Sequence, residues 1–298
     1  DAGGRPECAA LGRRAGIRCA QTQRAMIATM RCVTADGALV GARVTRPNAS
    51  DRSGGRALLF VHGVGSTAAI WDAQLAEFGA HLTCAAIELR GNGAVKPDPD
   101  PSSIARSGFA QDVLTVADAL GVERFTLVGC SLGGVVAFEL WKGNPERFDA
   151  MLVLGSFARY PNGQRYADGI ASAARAAGSM RVFAERRAAN LGLPPERLKE
   201  TIEQMACKSV PCYLAATQAT WTGDYRSLLP TINVPVLVAY GERDAIAPRA
   251  LSEEIAAGVG AARLAMIPGA GHVANADNPG EFNRLLLAFL DESNDGAT

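Results

Sequence analysis

Histidine occurs only three times in this chain of 298 residues, at 62, 81 and 272. The seven cysteines, at 8, 19, 32, 84, 130, 207 and 212, are odd in number and irregular in spacing, and no Cys-x-x-Cys pair occurs. Histidines do not cluster with cysteines. A zinc site and a disulfide framework are therefore not expected. Free thiols suit a reducing compartment, and the cytoplasm is the expected location. Excess charge of either sign is also missing: 30 Lys and Arg balance 30 Asp and Glu. No basic field invites nucleic acid, and no acidic tail is present. No stretch approaches the ~20 consecutive apolar residues of a membrane span, so no membrane contact is expected. Internal repeats are absent. The partners this leaves are small and neutral.

What is present suits a well-filled core: 48% hydrophobic and 20% charged residues, a balance that argues against disorder. The first thirty residues depart from it. They are rich in Arg, Ala and Gly and lack an apolar block of signal-peptide length. Gly12-Arg13-Arg14 resembles a twin-arginine signal only superficially, because the following residues are too polar. Residues 1 to about 28 read as a disordered tail.

The most informative segment is Gly129-Cys130-Ser131-Leu132-Gly133. Before it runs Phe125-Thr126-Leu127-Val128, short and β-favouring. After it comes an apolar stretch from Gly134 to Leu140, long enough for a buried helix. A serine on so tight a strand-to-helix turn takes a strained backbone, and small neighbours let strand and helix approach. Its hydroxyl stands above the sheet near a helix N-terminus, where developing negative charge is tolerated. The residue is a candidate nucleophile.

Around it, strand-like and helix-like runs alternate. Met30–Thr34 and Leu39–Val44 flank Asp36-Gly37, a hairpin signal. Ala57–Val61, Cys84–Leu89, Ala150–Leu154, Pro235–Tyr240 and Arg263–Ile267 read as buried core strands. Helices are expected over Ala73–Phe78, Ile104–Leu120 and Glu281–Leu290. The fold class is α/β: a mostly parallel central sheet with helices on both faces, after an antiparallel start. From about Phe157 to Leu229 no strand-like run occurs, and three or four helices are expected there. The expected organisation is a core of 29–156 and 230–293, with 157–229 inserted between core strands as a helical cap.

A serine hydroxyl needs a base within hydrogen-bond reach, and the base needs an orienting acid. His272, in Pro268-Gly269-Ala270-Gly271-His272, follows an expected strand. So does Asp244, in Tyr240-Gly241-Glu242-Arg243-Asp244. Glu242 is the alternative acid, and Asp244 could instead cap a helix or pair with Arg243 or Arg249. Cys130 adjoins Ser131, but the turn aims only its central residue outward.

HGVGS from His62, RGNG from Arg90, GCSLGG from Gly129, Pro145-Glu146-Arg147, YGERD from Tyr240 and PGAGH from Pro268 occur in that order. Together they resemble a capped α/β-hydrolase over residues 30–292. The resemblance implies a Ser131–Asp244–His272 triad. It implies that the backbone N–H groups of Val64 and Leu132 form the oxyanion hole, and that His62 braces that loop. One loop departs from the pattern: Asn92 stands where many members have histidine, and Ala94 where they have serine. The activity implied is hydrolysis of small to medium, largely apolar esters or lactones through an acyl-enzyme, with no metal or organic cofactor. Phe157, Tyr160, Trp221 and Val273 are candidate substrate contacts, with Phe183, Tyr213 and Tyr225 as further aromatic candidates. Carbon–carbon bond hydrolysis of the meta-cleavage type and cofactor-free perhydrolase or haloperoxidase chemistry are the alternatives on the same triad. A non-enzymatic small-molecule receptor is a third. Ser131 argues against dehalogenases and epoxide hydrolases, which need aspartate at that turn. Oligomeric state is not legible.

Overall fold

A computed structural model of the chain describes residues 26–47, 56–92, 95–189 and 195–295. The tail expected over 1–28 lies outside the described residues except for its last three, and so do Cys8, Cys19 and Ala94. Among the described residues eight strands form one sheet: β1 (Ala28–Val33), β2 (Leu39–Thr45), β3 (Ala57–Val61), β4 (Thr83–Glu88), β5 (Phe125–Cys130), β6 (Phe148–Leu154), β7 (Val236–Gly241) and β8 (Ala262–Ile267). Their order is β1-β2-β4-β3-β5-β6-β7-β8. β2 runs antiparallel to both neighbours, and β3 through β8 are parallel to one another and to β4. Among the described residues ten α-helices accompany them: α1 (Asp72–Phe78), α2 (Arg106–Ala119), α3 (Leu132–Gly143), α4 (Gly163–Ala176), α5 (Met180–Ala188), α6 (Pro195–Ala206), α7 (Val210–Trp221), α8 (Arg249–Gly258), α9 (Ala274–Asp277) and α10 (Pro279–Asp295).

Every residue of β3 and β5 is buried. Such strands are covered on both faces, so their sequences run apolar without alternation. Leu59, Val61, Leu127, Met151 and Val153 face α2, α3 and α8 in one core cluster. Leu58, Phe60, Val128 and Leu152 join Trp71, Leu75, Phe282 and Leu286 in the other. Trp71 sits between Phe60 and Phe282, with ring centroids 5.1 and 5.9 Å away. The edge strands differ. β8 reads as a core strand in sequence, yet it lies last in the sheet and leaves Leu264 and Met266 exposed.

Helices α4 to α7 all lie between β6 and β7 in the chain. They meet the α/β layers through an aromatic cluster. Trp221 stacks on Phe157 at 5.1 Å, and Tyr160 and Tyr166 meet its ring edge-on, each at 4.6 Å. No helix among the described residues is long and apolar enough to cross a membrane.

Candidate active site

Strand order brings distant residues to one edge of the sheet. β3 and β5 are parallel neighbours, with Val61 opposite Gly129. The loops that leave their carboxyl ends, His62–Ser66 and Cys130–Leu132, therefore start side by side. This is also where the chain switches from building the sheet on one side to building it on the other. Open α/β sheets place their ligand crevices at such points.

Ser131 sits at the turn from β5 to α3 with φ 54°, in the left-handed region. Only one other described non-glycine residue, Asn162, has positive φ. Such strain persists where surrounding contacts fix it. Here the Ser131 N–H donates to the Leu154 carbonyl (2.9 Å), and the Ser156 hydroxyl donates to the Ser131 carbonyl (2.7 Å). Ser131 is 2% exposed. Across the gap from β3, a side-chain carbon at Gly63 would lie 3.2 Å from Ser131 Cβ. Leu132, fully buried, opens α3, so its N–H is one of the first-turn donors with no intrahelical acceptor. Among the described residues neither it nor the Val64 N–H donates to a backbone acceptor.

Asp244 and His272 come from the loops after β7 and β8, which are paired. Asp244 Oδ2 accepts from His272 Nδ1 at 2.8 Å. Its Oδ1 accepts the Ile246 and Ala247 N–H groups, each at 2.9 Å. The carboxylate side chain is fully buried, and the imidazole is 18% exposed. Glu242 is occupied elsewhere: its Oε2 accepts from the Gly269 N–H at 2.7 Å. Arg243 donates to the Gly269 carbonyl and Arg249 to Glu253, so neither pairs with Asp244. Gly155, just past β6, leaves the space the pair needs. A side-chain carbon there would lie 3.0 Å from Asp244 Oδ2 and 3.4 Å from His272 Nδ1. The serine turn and the histidine loop touch through Cys130 Sγ, 3.9 Å from the His272 carbonyl oxygen. No hydrogen bond of 3.5 Å or less joins His272 to the Ser131 hydroxyl. Catalytic contacts of this kind are often long without substrate and tighten in the reacting complex.

Cys130 is buried, and that burial pushes its thiol well above the usual range. A thiolate there is unfavourable. His62 is fully buried: its Nδ1 lies 2.9 Å from the Gly63 carbonyl, and its Nε2 accepts the Leu89 N–H at 3.3 Å. Both ring nitrogens thus meet main chain, and Nε2 also lies 3.3 Å from Glu88 Oε1, which fixes the ring under the loop that holds Val64. Asn92 is buried, and its amide donates to the Arg90 carbonyl. Phe157 and Trp221 are packed at 1% exposure, and Val273 and Tyr160 are half-buried. The Tyr225 hydroxyl donates to Glu139 (2.6 Å). Sequence reasoning did not single out Gly155 or Ser156. Both act through strand neighbours, and no local pattern marks them. Among the described residues no group of three or more His, Cys, Asp or Glu is placed to hold a metal ion.

A family model described as the alpha/beta hydrolase family matches residues 58–285. The chain belongs to the alpha/beta hydrolase family. Within the described residues its sheet order and loop positions are those of an alpha/beta hydrolase. Over 248 residues it is 29% identical to the "Putative carbamate hydrolase RutD" of Azorhizobium caulinodans, covering 80% of this chain and 92% of that one. It is 26% identical over 244 residues to 3-oxoadipate enol-lactonase 2 of Acinetobacter baylyi, covering 80% and 90%. The crystal structure of a hydrolase from Pseudomonas aeruginosa aligns with a TM-score of 0.78 at 27% identity, over 88% of this chain and 98% of that one. The chain is an enzyme of the hydrolase class.

Proposed function

We propose that this chain is a serine hydrolase that cleaves carboxylic esters or lactones of small to medium, largely apolar substrates through an acyl-enzyme. The observation that carries the reading is the 2.8 Å bond from His272 Nδ1 to the buried Asp244 carboxylate, set beside a strained serine turn. With Nδ1 committed to Asp244, Nε2 is left to take the Ser131 proton as the hydroxyl attacks the carbonyl. Asp244 holds that tautomer and stabilises the imidazolium. The Val64 and Leu132 N–H groups receive the tetrahedral oxyanion, and one such donor is typically worth ~3–4 kcal/mol of barrier. Collapse expels the alcohol, which takes the proton from His272. Water activated by the same imidazole then releases the acid. Helices α4 to α7 act as a cap over this edge of the sheet. The enol-lactonase among the relatives supports the substrate class, and the partly exposed Val64 and Val273, in the loops that carry the oxyanion donor and His272, supply apolar surface for it.

An aryl or alkyl phosphonate should add its mass once, on Ser131, and abolish hydrolysis of p-nitrophenyl butyrate. The Ser131→Ala variant should keep its fold by circular dichroism and lose turnover by roughly 10⁴–10⁶. Labelling at another residue, or ester hydrolysis unchanged in the variant, would overturn the assignment.

A further inference from the structure

A cavity of about 1060 Å³ lies between α4, α5 and the segment that leads from Asp244 into α8. None of its lining residues is Ser131, Leu132, Val64 or His272. Its body is apolar, with Ile170, Phe183, Ile246 and Leu251 on the walls. Its charges are of one sign. Arg165, Arg186 and Arg187 line it, and no Asp or Glu does.

Arg187 is the informative member. Arg165 and Arg186 are exposed, whereas Arg187 is half-buried and crowded by neighbours. The groups that face it are phenols: Tyr160 and Tyr166 on the cavity wall and Tyr213 behind. Other sheltered guanidiniums are paired, Arg90 with Asp112 and Arg197 with Glu200, while Arg106 is satisfied by the Ala219 carbonyl and the Thr222 hydroxyl. Among the described residues no carboxylate forms an ion pair with Arg187. A cation sheltered from water without a counter-charge is costly, and an anion that reaches it recovers much of that cost. A guanidinium also offers a planar fork of N–H donors matched to a carboxylate. Asn162, held at φ 52°, sits on the rim of the same cavity. The cavity also adjoins the catalytic acid. The Tyr160 hydroxyl donates to the Ile246 carbonyl (3.1 Å), and the Ile246 N–H donates to Asp244.

We propose that this cavity binds an organic carboxylate with an apolar body, its carboxylate on Arg187 beside the Tyr160 and Tyr166 hydroxyls and its chain along Ile170, Phe183 and Ile246. The inference rests on the cavity and its charges, independently of the role of Ser131. Two sources share this chemistry. One is a carboxylate at the far end of the substrate, as in a half-ester of a dicarboxylic acid. The other is a free carboxylic acid held apart from the serine.

Calorimetric titration of the full chain with octanoate and with its neutral isostere octanamide tests the proposal by binding alone. Octanoate should bind at least about ten-fold more tightly than octanamide, as one charge-assisted pair requires. Arg187→Gln should erase that ratio, and Arg187→Lys should keep part of it. Equal affinity of the wild type for the two ligands, or no binding of either, overturns the proposal without reference to any variant. A ratio unchanged in a folded Arg187→Gln protein overturns it as well. A second arm separates the sources. Octanoate binding that survives phosphonate labelling of Ser131 assigns the cavity to a free acid, and binding lost on labelling assigns it to the substrate path. Failure of the ester assay alone leaves these titrations readable, so the two readings fail separately.

Discussion

At Gly133 a side-chain carbon would lie 2.2 Å from the Val61 carbonyl oxygen, and at Gly129 one would lie 2.3 Å from the Gly133 backbone. Both obstacles are main chain, so neither can rotate away. β3 or α3 would have to move, and with them the two loops that frame Ser131. Gly143, at the exposed end of α3, meets nothing within 4 Å. Gly129→Ala and Gly133→Ala should therefore lower the urea midpoint by an amount equivalent to at least ~1–3 kcal/mol, the usual cost of overpacking. Gly143→Ala should be neutral or stabilising by up to ~1 kcal/mol. A Gly133→Ala protein with the wild-type midpoint would refute the close approach. Ser131 was legible in the sequence because its constraint is local: glycines bracket it and a strand and a helix flank it. Arg187 was not. Its meaning depends on which residues from α4, α5 and the loop before α8 surround it, and on the absence of acids among them. A linear sequence does not display that.

At the scale of elements, apolar runs and the Asp36-Gly37 hairpin signal located the eight described strands to within two residues at either end, most directly at β3 and β5, where burial on both faces forces unbroken hydrophobic sequence. They did not reveal which strand is last. β8 carries Leu264 and Met266 like an interior strand and exposes both, and order in a sheet follows from non-local pairing. The junction of α6 and α7 with the core was equally hidden. Lys208 lies between these helices, and its side chain is buried against the sheet's loops. Its ammonium donates to the Ser66 carbonyl (2.9 Å) and to the Asn92 carbonyl. It thereby ties the helices to the loops after β3 and β4, the first of which holds Val64. Burial pushes the Lys208 pKa down to about 8. The folded value thus lies below the unfolded one, near 10.4. Between those values the unfolded chain binds the proton and the folded chain does not, so this group makes the fold more stable as pH rises. Lys208→Met should remove that slope. The difference in urea midpoint, wild type minus variant, should grow from pH 8 toward pH 10, at no more than ~1.4 kcal/mol per pH unit. Parallel pH curves for the two proteins would refute the burial of a titrating amine.

Across the whole molecule, one charged network joins three parts of the fold that are far apart in sequence. Arg90, after β4, is buried. Its Nε donates to Asp112 Oδ1 in α2 (2.8 Å), and its backbone N–H donates to Asp112 Oδ2 (2.9 Å). Its Nη1 donates to Asp36 (2.5 Å), in the turn between β1 and β2. The hairpin at the edge of the sheet is thus fastened to the interior through a guanidinium. The two carboxylates titrate in opposite senses. Burial pushes Asp112 up to about 6 despite Arg90. Its protonation therefore favours the folded state as pH falls from 6 toward 4. The Arg90 hydrogen bond, first, and that of Thr34 hold Asp36 down at about 2. Its folded value lies below the unfolded value near 3.9. Its stabilisation is thus present above pH 4 and is lost as pH falls to 2. The Asp36 side chain is 49% exposed, so solvent screening keeps the contribution small. Acid unfolding of the wild type alone mixes the two senses, but wild type and Asp36→Asn both keep Asp112. Their urea midpoints should differ at pH 5 to 7, with the wild type more stable, and converge between pH 4 and 2. A difference that persists unchanged at pH 2 would mean that the Asp36 contact acts through shape rather than charge.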